Sequence, residues 1–225
     1  MEFTLLDNGI DSLQKTKMAI DKINQLHYEF AGHHIKDAVV FMHHGTEILL
    51  KKYLSNINES LIFLSQKDYL NAKKHLKNNP IKPTGFGYFG KDKQNVFNIT
   101  SEKKIKFDLR TVGLMDALDR VQYFCDVDIS ADLNGALGKL NNYRNDLTHY
   151  TLQLGDQELE KLVVELKATF NLALEFLNLL LPGTMKRVDE EKFELTQSEW
   201  EEYQEELLAF YEERALSDLS EDDFY

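Results

Sequence analysis

The feature that most constrains this fold is a long run of apolar residues, spaced three and four positions apart, before Pro182 and Gly183. This spacing places the apolar side chains on one stripe of an α-helix, which must pack against a partner. Pro182 and Gly183 then end the run. The sequence predicts a helix from a cap at Asp156 to about Leu180. Its stripe is Leu159, Leu162, Val163, Leu166, Phe170, Leu174, Leu177 and Leu181.

Two segments near the start of the sequence show the same periodicity. The apolar residues from Asp37 to Leu54 form one stripe, and those from Ile10 to Phe30 are close to helical spacing. A third, shorter helix is predicted from about Lys67 to Lys77. It stops before Pro80, because proline lacks an amide hydrogen and disfavours a helix immediately before it.

The second half of the chain adds three more predicted helices. Thr111 is a candidate N-cap for the first, and Ser130–Tyr143 carries the stripe of the second. The third is predicted at about Gln197–Arg214. Together the segments predict an all-α fold: a four-helix bundle over residues 1–183, followed by an acidic C-terminal helix and tail over residues 184–225.

Residues 78–110 interrupt the helical pattern and predict a basic insertion that is partly β. Alternating apolar residues indicate a small hairpin with strands at Val96–Thr100 and Ile105–Leu109. Between Lys67 and Phe107 there are ten lysines and three acidic residues. Lysines and aromatic rings together could hold RNA, or the aromatics could pack on the bundle beneath a solvated hairpin. The candidate RNA-binding lysines are Lys91, Lys93, Lys103, Lys104 and Lys106.

The acidic charge of the chain is concentrated after residue 188. The formal net charge is −12, yet residues 189–225 hold 15 acidic and 2 basic residues, whereas residues 1–188 hold 23 acidic and 24 basic. A nucleic-acid partner for the body is therefore compatible with a negative total charge. The acidic tail is expected to be a solvated appendage, or else to dock near the basic insertion in place of RNA and restrain activity.

Cysteine usage and the N-terminus indicate the compartment. The single cysteine, Cys125, excludes an intramolecular disulfide and a multi-cysteine zinc site, which fits a reducing compartment. The N-terminus lacks a signal-peptide pattern, and no apolar run reaches the roughly 18–20 residues of a membrane span. We expect a soluble, cytoplasmic protein without a membrane partner.

A polar stretch between two predicted helices, NNYRNDLTHYTL at residues 141–152, contains the candidate catalytic residues. Arg144 can bind phosphate bidentately, and His149 can transfer a proton near neutral pH. Such a pair suffices for RNA cleavage without a metal, since one group moves a proton while the other stabilises the charged phosphorane. Five residues of unbroken helix separate the two by about 140°. They share a site only if the helix breaks between them, which the polar residues favour, or if two chains contribute.

The arrangement resembles the HEPN superfamily (higher eukaryotes and prokaryotes nucleotide-binding). Its members carry Arg-x4–6-His between the third and fourth bundle helices, often with asparagine after the arginine, and Arg144, Asn145 and His149 match these positions. The stretch DAVVFMHHGTEILLKKYL also resembles the second helix of that family. The resemblance covers about residues 10–181, apart from the insertion. It implies a bundle that dimerises around one composite cleft, and a metal-independent endoribonuclease of toxin–antitoxin, abortive-infection or antiviral type.

Four further side chains enter the candidate site. Asn145 is expected to orient the pair or to cap a helix end, and Glu47 to face the bundle as a polar neighbour of the motif. Asp146 and Tyr150 are candidate supporting residues. In some family members a tyrosine two positions after the histidine is modified with AMP, whereas Tyr150 follows the histidine directly. His43 and Glu47 have ligand-like spacing, but no second Glu-x-x-His exists, so we predict no metal and no cofactor.

The leading hypothesis is a homodimeric, metal-independent endoribonuclease. Its predicted partners are RNA, a second copy of the chain and, by the resemblance, a cognate antitoxin or other defence-system protein. One alternative is a non-catalytic nucleotide-binding, effector-binding or scaffold module of HEPN type, and another is an inhibitor or adaptor acting through the acidic tail. The motif itself could also be a polar turn between two helices with an ordinary salt bridge to Asp146 or Asp156.

Overall fold

A computed structural model of the chain describes residues 4–24, 31–78, 96, 107–149, 155–188 and 192–222. These residues form eight α-helices and a short 3-10 helix, and they contain no β-strand. The predicted all-α class is thereby confirmed. The helices are α1 (Leu5–Ile23), α2 (Gly32–Ile57), α3 (Gln66–Asn78), α4 (Leu114–Cys125), α5 (Ala131–His149), α6 (Asp156–Leu180), α7 (Thr184–Val188) and α8 (Gln197–Asp222), with the 3-10 helix Glu59–Ile62 between α2 and α3.

The first two helices form the most extensive pair in the bundle. α1 begins at a capping box, in which the Thr4 hydroxyl accepts from the Asp7 amide at 3.2 Å and the Asp7 carboxylate accepts from the Thr4 amide at 3.1 Å. The helix therefore starts before Ile10, where the apolar pattern begins. Gly9 allows the two helices to approach closely, because a Cβ at this position would lie 2.5 Å from Leu49.

Helices α1, α2, α5 and α6 enclose one hydrophobic core, and α4 packs on α2. The predicted stripe of α6 lies in this core along most of its length. The end of the stripe is only partly buried, since Leu181 follows the last turn. Fully buried members of the core include Leu13, Ile20, Met42, Leu49, Leu137, Leu166, Phe170 and Leu177.

The connection between α3 and α4, where the hairpin is predicted, is described only in part. Most of residues 96–109 lie outside the described ranges, and residues 107–109 have no regular secondary structure. Thr111 does not cap α4, because it forms an isolated antiparallel bridge with Phe63, and Gly113 occupies the N-cap position. The bridge keeps the backbone extended at Thr111, so the helix begins only after Gly113.

The acidic helix α8 packs on α5 and α6, which corrects the expectation of a solvated appendage. Tyr203 and Leu207 are buried in a second apolar cluster with Ala136 of α5 and Ala168 of α6. Gly135 permits this approach, because a Cβ there would lie 2.6 Å from Leu207. The small side chains of α5 and α6 thus form the seat for α8.

Two features at the C-terminal end lie beyond the predicted pattern. α8 continues to Asp222 rather than ending at Arg214, and the short helix α7 was not predicted. The expected docking of the tail near the basic insertion involves residues outside the described ranges. Within those ranges, every helix is too short or too polar to cross a membrane.

Candidate functional site

The backbone of α5 stays helical through His149, so the predicted break between Arg144 and His149 is wrong. Thr148 does not interrupt the helix, because its hydroxyl donates within it to the carbonyl oxygens of Arg144 at 2.6 Å and Asn145 at 3.1 Å. Positions 144 and 149 therefore lie about 140° apart around one axis. Only a second chain could bring an arginine and a histidine of this motif into one cleft.

A buried polar seam joins α2 to α5 one turn before Arg144. Nε2 of His43 lies 3.1 Å from Oδ1 of Asn141, and Nδ1 lies 4.0 Å from the Glu47 carboxylate. Burial lowers the pKa of His43, although the bond to Asn141 and the charge of Glu47 act in the opposite direction. The imidazole is therefore neutral at neutral pH, and its Nε2–H donates to the Asn141 oxygen.

The seam continues along α2 through Lys51. Its Nζ donates to Glu47 at 2.6 Å and to the Thr111 hydroxyl at 3.0 Å, and the residue is only 6% exposed. The buried ammonium is thus compensated by one carboxylate and one hydroxyl. Glu47, expected as a polar residue facing the bundle, reaches the neighbourhood of the motif through His43 rather than by direct contact.

Arg144 is half-buried beside this seam. Its guanidinium donates to Oδ1 of Asn145 at 3.0 Å, and its positive charge helps to lower the pKa of His43. Among the described side chains no carboxylate forms an ion pair with Arg144, so the alternative salt bridge to Asp146 is not formed, whereas the side chain of Asp156, the other candidate partner, lies outside those described. Asn145 holds the guanidinium in place and is its only hydrogen-bond partner among the described side chains.

The other predicted site residues are only partly accounted for. Asp146 is half-buried, and its charge contributes to raising the pKa of the Tyr143 hydroxyl. Tyr150 lies outside the described residues, as do the candidate lysines Lys91, Lys93, Lys103, Lys104 and Lys106. The ranges that are described contain no group of three or more His, Cys, Asp or Glu residues that could hold a metal ion.

The sequence analysis does not predict the pairing of His43 with Asn141. Part of the signal is present, because His43, Glu47 and Lys51 are spaced four residues apart and therefore share one face of α2. That face is otherwise the core stripe, so three polar residues on it need partners. The partner on α5 is 98 residues away in the chain, and local periodicity carries no information about such a contact.

A second buried polar cluster lies on another side of α5, beneath α8. Glu165 of α6 is 7% exposed and accepts from Lys139 at 2.6 Å and from the Tyr143 hydroxyl at 2.8 Å. Burial, together with the Glu165 charge, raises the pKa of Tyr143. Glu165 thus provides the acceptor for two polar side chains of α5 at the place where Tyr203 of α8 covers them.

The chain is thus an all-α bundle with an additional C-terminal helix and a buried polar seam next to Arg144. No family model, curated protein or solved structure matches the chain.

Proposed function

We propose that this protein is a metal-independent endoribonuclease of HEPN type, in which Arg144 and His149 of two chains form one composite cleft. The observation that carries the proposal is the setting of Arg144. Among the described side chains this half-buried guanidinium has no carboxylate partner and is held by Asn145, which makes it suited to an external anion such as a phosphodiester. The uninterrupted α5 helix supports the two-chain arrangement, since one chain cannot present both groups on one face.

In the proposed reaction, one His149 removes the proton of the 2′-hydroxyl, and the resulting oxygen attacks the adjacent phosphorus. The bond from phosphorus to the 5′ oxygen breaks, and His149 of the second copy donates a proton to that leaving oxygen. The products are a 2′,3′-cyclic phosphate and a 5′-hydroxyl. Arg144 stabilises the additional negative charge of the phosphorane by paired hydrogen bonds. A defence or toxin role would follow from RNA turnover and from control by an antitoxin.

The test is cleavage of RNA in the presence of EDTA. We expect His149→Ala and Arg144→Ala each to lower the cleavage rate about 10²–10⁴-fold, the range for loss of a group that transfers a proton or stabilises the transition state. Matched controls are His33→Ala, on the exposed first turn of α2, and Arg110→Ala, at an exposed position before α4. Cleavage by His149→Ala at the wild-type rate would remove the catalytic assignment.

The two-chain arrangement has its own test. Mixing Arg144→Ala with His149→Ala chains creates dimers in which one cleft holds an arginine from one chain and a histidine from the other. We expect the mixture to cleave RNA faster than either variant alone and more slowly than wild type, because the mixed cleft keeps one arginine but only one of the two histidines. A mixture as inactive as its components, in which exchange of subunits has been verified, would contradict the composite cleft.

A further inference from the structure

A groove of about 790 Å³ lies between α4, α5 and α8, on the side of α5 next to the polar seam. It is large enough for a drug-sized or nucleoside-sized ligand. Its wall on α5 runs from Asn134 to Asn142 and ends within one turn of Arg144. Residues of all three helices line it, among them Asp119 of α4, Asn141 and Asn142 of α5, and Phe210, Glu213 and Arg214 of α8.

The α5 wall of the groove carries side-chain amides. Asn134, Asn141 and Asn142 line it, and Asn142 is exposed. Asn141 is fixed from behind, because the neutral ring of His43 donates to its oxygen at 3.1 Å. Its NH₂ group has no partner among the described residues, so the buried histidine leaves a preoriented donor at the groove surface.

The opposite part of the groove is aromatic. Phe210 of α8 lies above Gly138 of α5, where a Cβ would be only 3.4 Å from the ring, and it packs edge-on against Tyr211. The Tyr211 hydroxyl donates to the carbonyl oxygen of Ala131, which fixes this turn of α8 on α5. A half-buried ring held in this way offers a flat apolar surface beside the amides.

The charges of the groove limit the ligand. Asp119 and Glu213 contribute two carboxylates, and Arg214 contributes one guanidinium. A polyphosphate would be repelled by this balance, whereas an uncharged planar ring with both donors and acceptors at its edge would not. Asparagine pairs bidentately with such edges, and aromatic side chains stack on such rings.

We propose that the groove binds an unstacked nucleobase, with Asn141 and Asn142 at its edge and Phe210 against its face. The base could belong to a free nucleoside or to RNA, because both present the same ring. The RNA form of the proposal rests on the proposed function: a base seated here would bring its phosphate toward Arg144, one turn further along α5. The nucleoside form does not depend on catalysis.

The experiment is isothermal titration calorimetry on the full chain with adenosine, guanosine, cytidine and uridine, with the corresponding triphosphates, and with 2′-O-methyl oligoribonucleotides, which lack the nucleophile for cleavage. We expect at least one nucleoside to bind saturably and its triphosphate to bind no tighter. Asn142→Ala and Asn141→Ala should weaken binding about tenfold, which corresponds to one lost amide contact. Asn56→Ala, an exposed asparagine on α2, is the control and should bind as wild type.

The comparison of nucleosides with oligonucleotides distinguishes a free nucleoside from a base of RNA as the natural ligand. Tighter binding of an oligonucleotide than of any nucleoside, with loss of that advantage in Arg144→Ala, supports an RNA base. Equal or tighter binding of the nucleoside supports a free ligand. Retained nucleoside binding in a protein that cleaves no RNA would remove the proposed function alone and leave the groove assignment intact.

Three results would overturn the nucleobase assignment. The first is absence of saturable binding of every probe to protein that melts cooperatively. The second is wild-type affinity of Asn142→Ala, whose exposed side chain can be removed without loss of packing. The third is binding of a triphosphate more than tenfold tighter than its nucleoside, since that would show recognition of phosphate rather than of the base.

Discussion

Two buried lysine–carboxylate pairs lie on two sides of α5, one within α2 and one joining α5 to α6, and they differ in the other side chains that depend on them. Toward α2, Lys51 shares Glu47 with His43 and has a second acceptor in Thr111, and the Glu47 side chain is 20% exposed. Toward α6 and α8, Lys139 and Tyr143 both depend on Glu165, whose side chain is 9% exposed. In the first pair the lysine has a second acceptor, and the pair borders the candidate site. In the second pair both donors share one acceptor, and the pair lies beneath α8.

From this difference we propose that the side of α5 under α8 contributes mainly to stability, and the side toward α2 to the placement of groups in the proposed site. A carboxylate that satisfies two buried donors cannot be lost without leaving both unpaired. Loss of the Glu47 carboxylate should lower the free energy of unfolding less, because Lys51 keeps another acceptor. It would, however, change the electrostatic environment of the His43 imidazole. Substitutions at Glu165 should therefore affect mainly stability, and substitutions at Glu47 mainly activity.

The largest expected effect is that of Glu165→Ala. Removing this carboxylate leaves the Lys139 ammonium and the Tyr143 hydroxyl buried without an acceptor, which should lower the free energy of unfolding by about 3–5 kcal/mol. Glu47→Ala should cost less, because Lys51 keeps Thr111 as an acceptor. Urea denaturation followed by circular dichroism measures both.

Glu165→Gln is the matched control for this comparison, because it retains the shape and one acceptor oxygen and should recover part of the loss. Equal destabilisation by Glu165→Ala and Glu47→Ala would contradict the proposed division between the two sides of α5.

The helices of the bundle could be predicted because their burial is periodic. α2 and α6 show this best, since their stripes of large apolar residues are visible in the sequence and lie in the core. The seat of α8 could not be predicted in this way. It consists of Gly135, Ala136 and Ala168, and small residues give no strong periodic signal although they decide how closely helices approach.

The next largest effect is expected from Gly135→Leu, which tests that seat directly. A side chain at Gly135 would collide with Leu207, so α8 must shift or detach, at a cost of about 1–3 kcal/mol. Cleavage by a glutamate-specific protease within the acidic helix should accelerate, while the bundle itself stays folded. Gly32→Leu is the control, because nothing lies within 4 Å of a Cβ there. Unchanged cleavage of α8 in Gly135→Leu would show that this contact does not hold it.

The candidate site was predictable only where its residues are neighbours in sequence. Arg144 and Asn145 follow from the motif, and their hydrogen bond links adjacent positions. The break expected after Arg144 was wrong, because Thr148 can satisfy its hydroxyl on the carbonyl oxygens of its own helix. The contact of Asn141 with His43 depends on how two distant helices meet, which residue types alone do not specify.

The smallest effect we predict is a pH dependence that belongs to His43. Its pKa in the folded protein lies below the ordinary value of 6.5, chiefly because burial disfavours the imidazolium, and Arg144 and His44 add to this effect. Below pH 6.5 the unfolded chain therefore binds more protons than the folded one.

The stability conferred by a neutral His43 is accordingly complete above pH 6.5 and declines as the pH falls through that value toward the folded pKa. Between about pH 8 and pH 5, wild type should lose more stability than His43→Gln, which cannot titrate and can still donate to Asn141. His33→Gln, at an exposed position of the same helix, should follow the wild-type curve. Parallel pH profiles of wild type and His43→Gln would contradict this prediction. They would mean that Glu47 compensates the charge of a protonated His43 without loss of stability, and that the fold does not require a neutral imidazole next to α5.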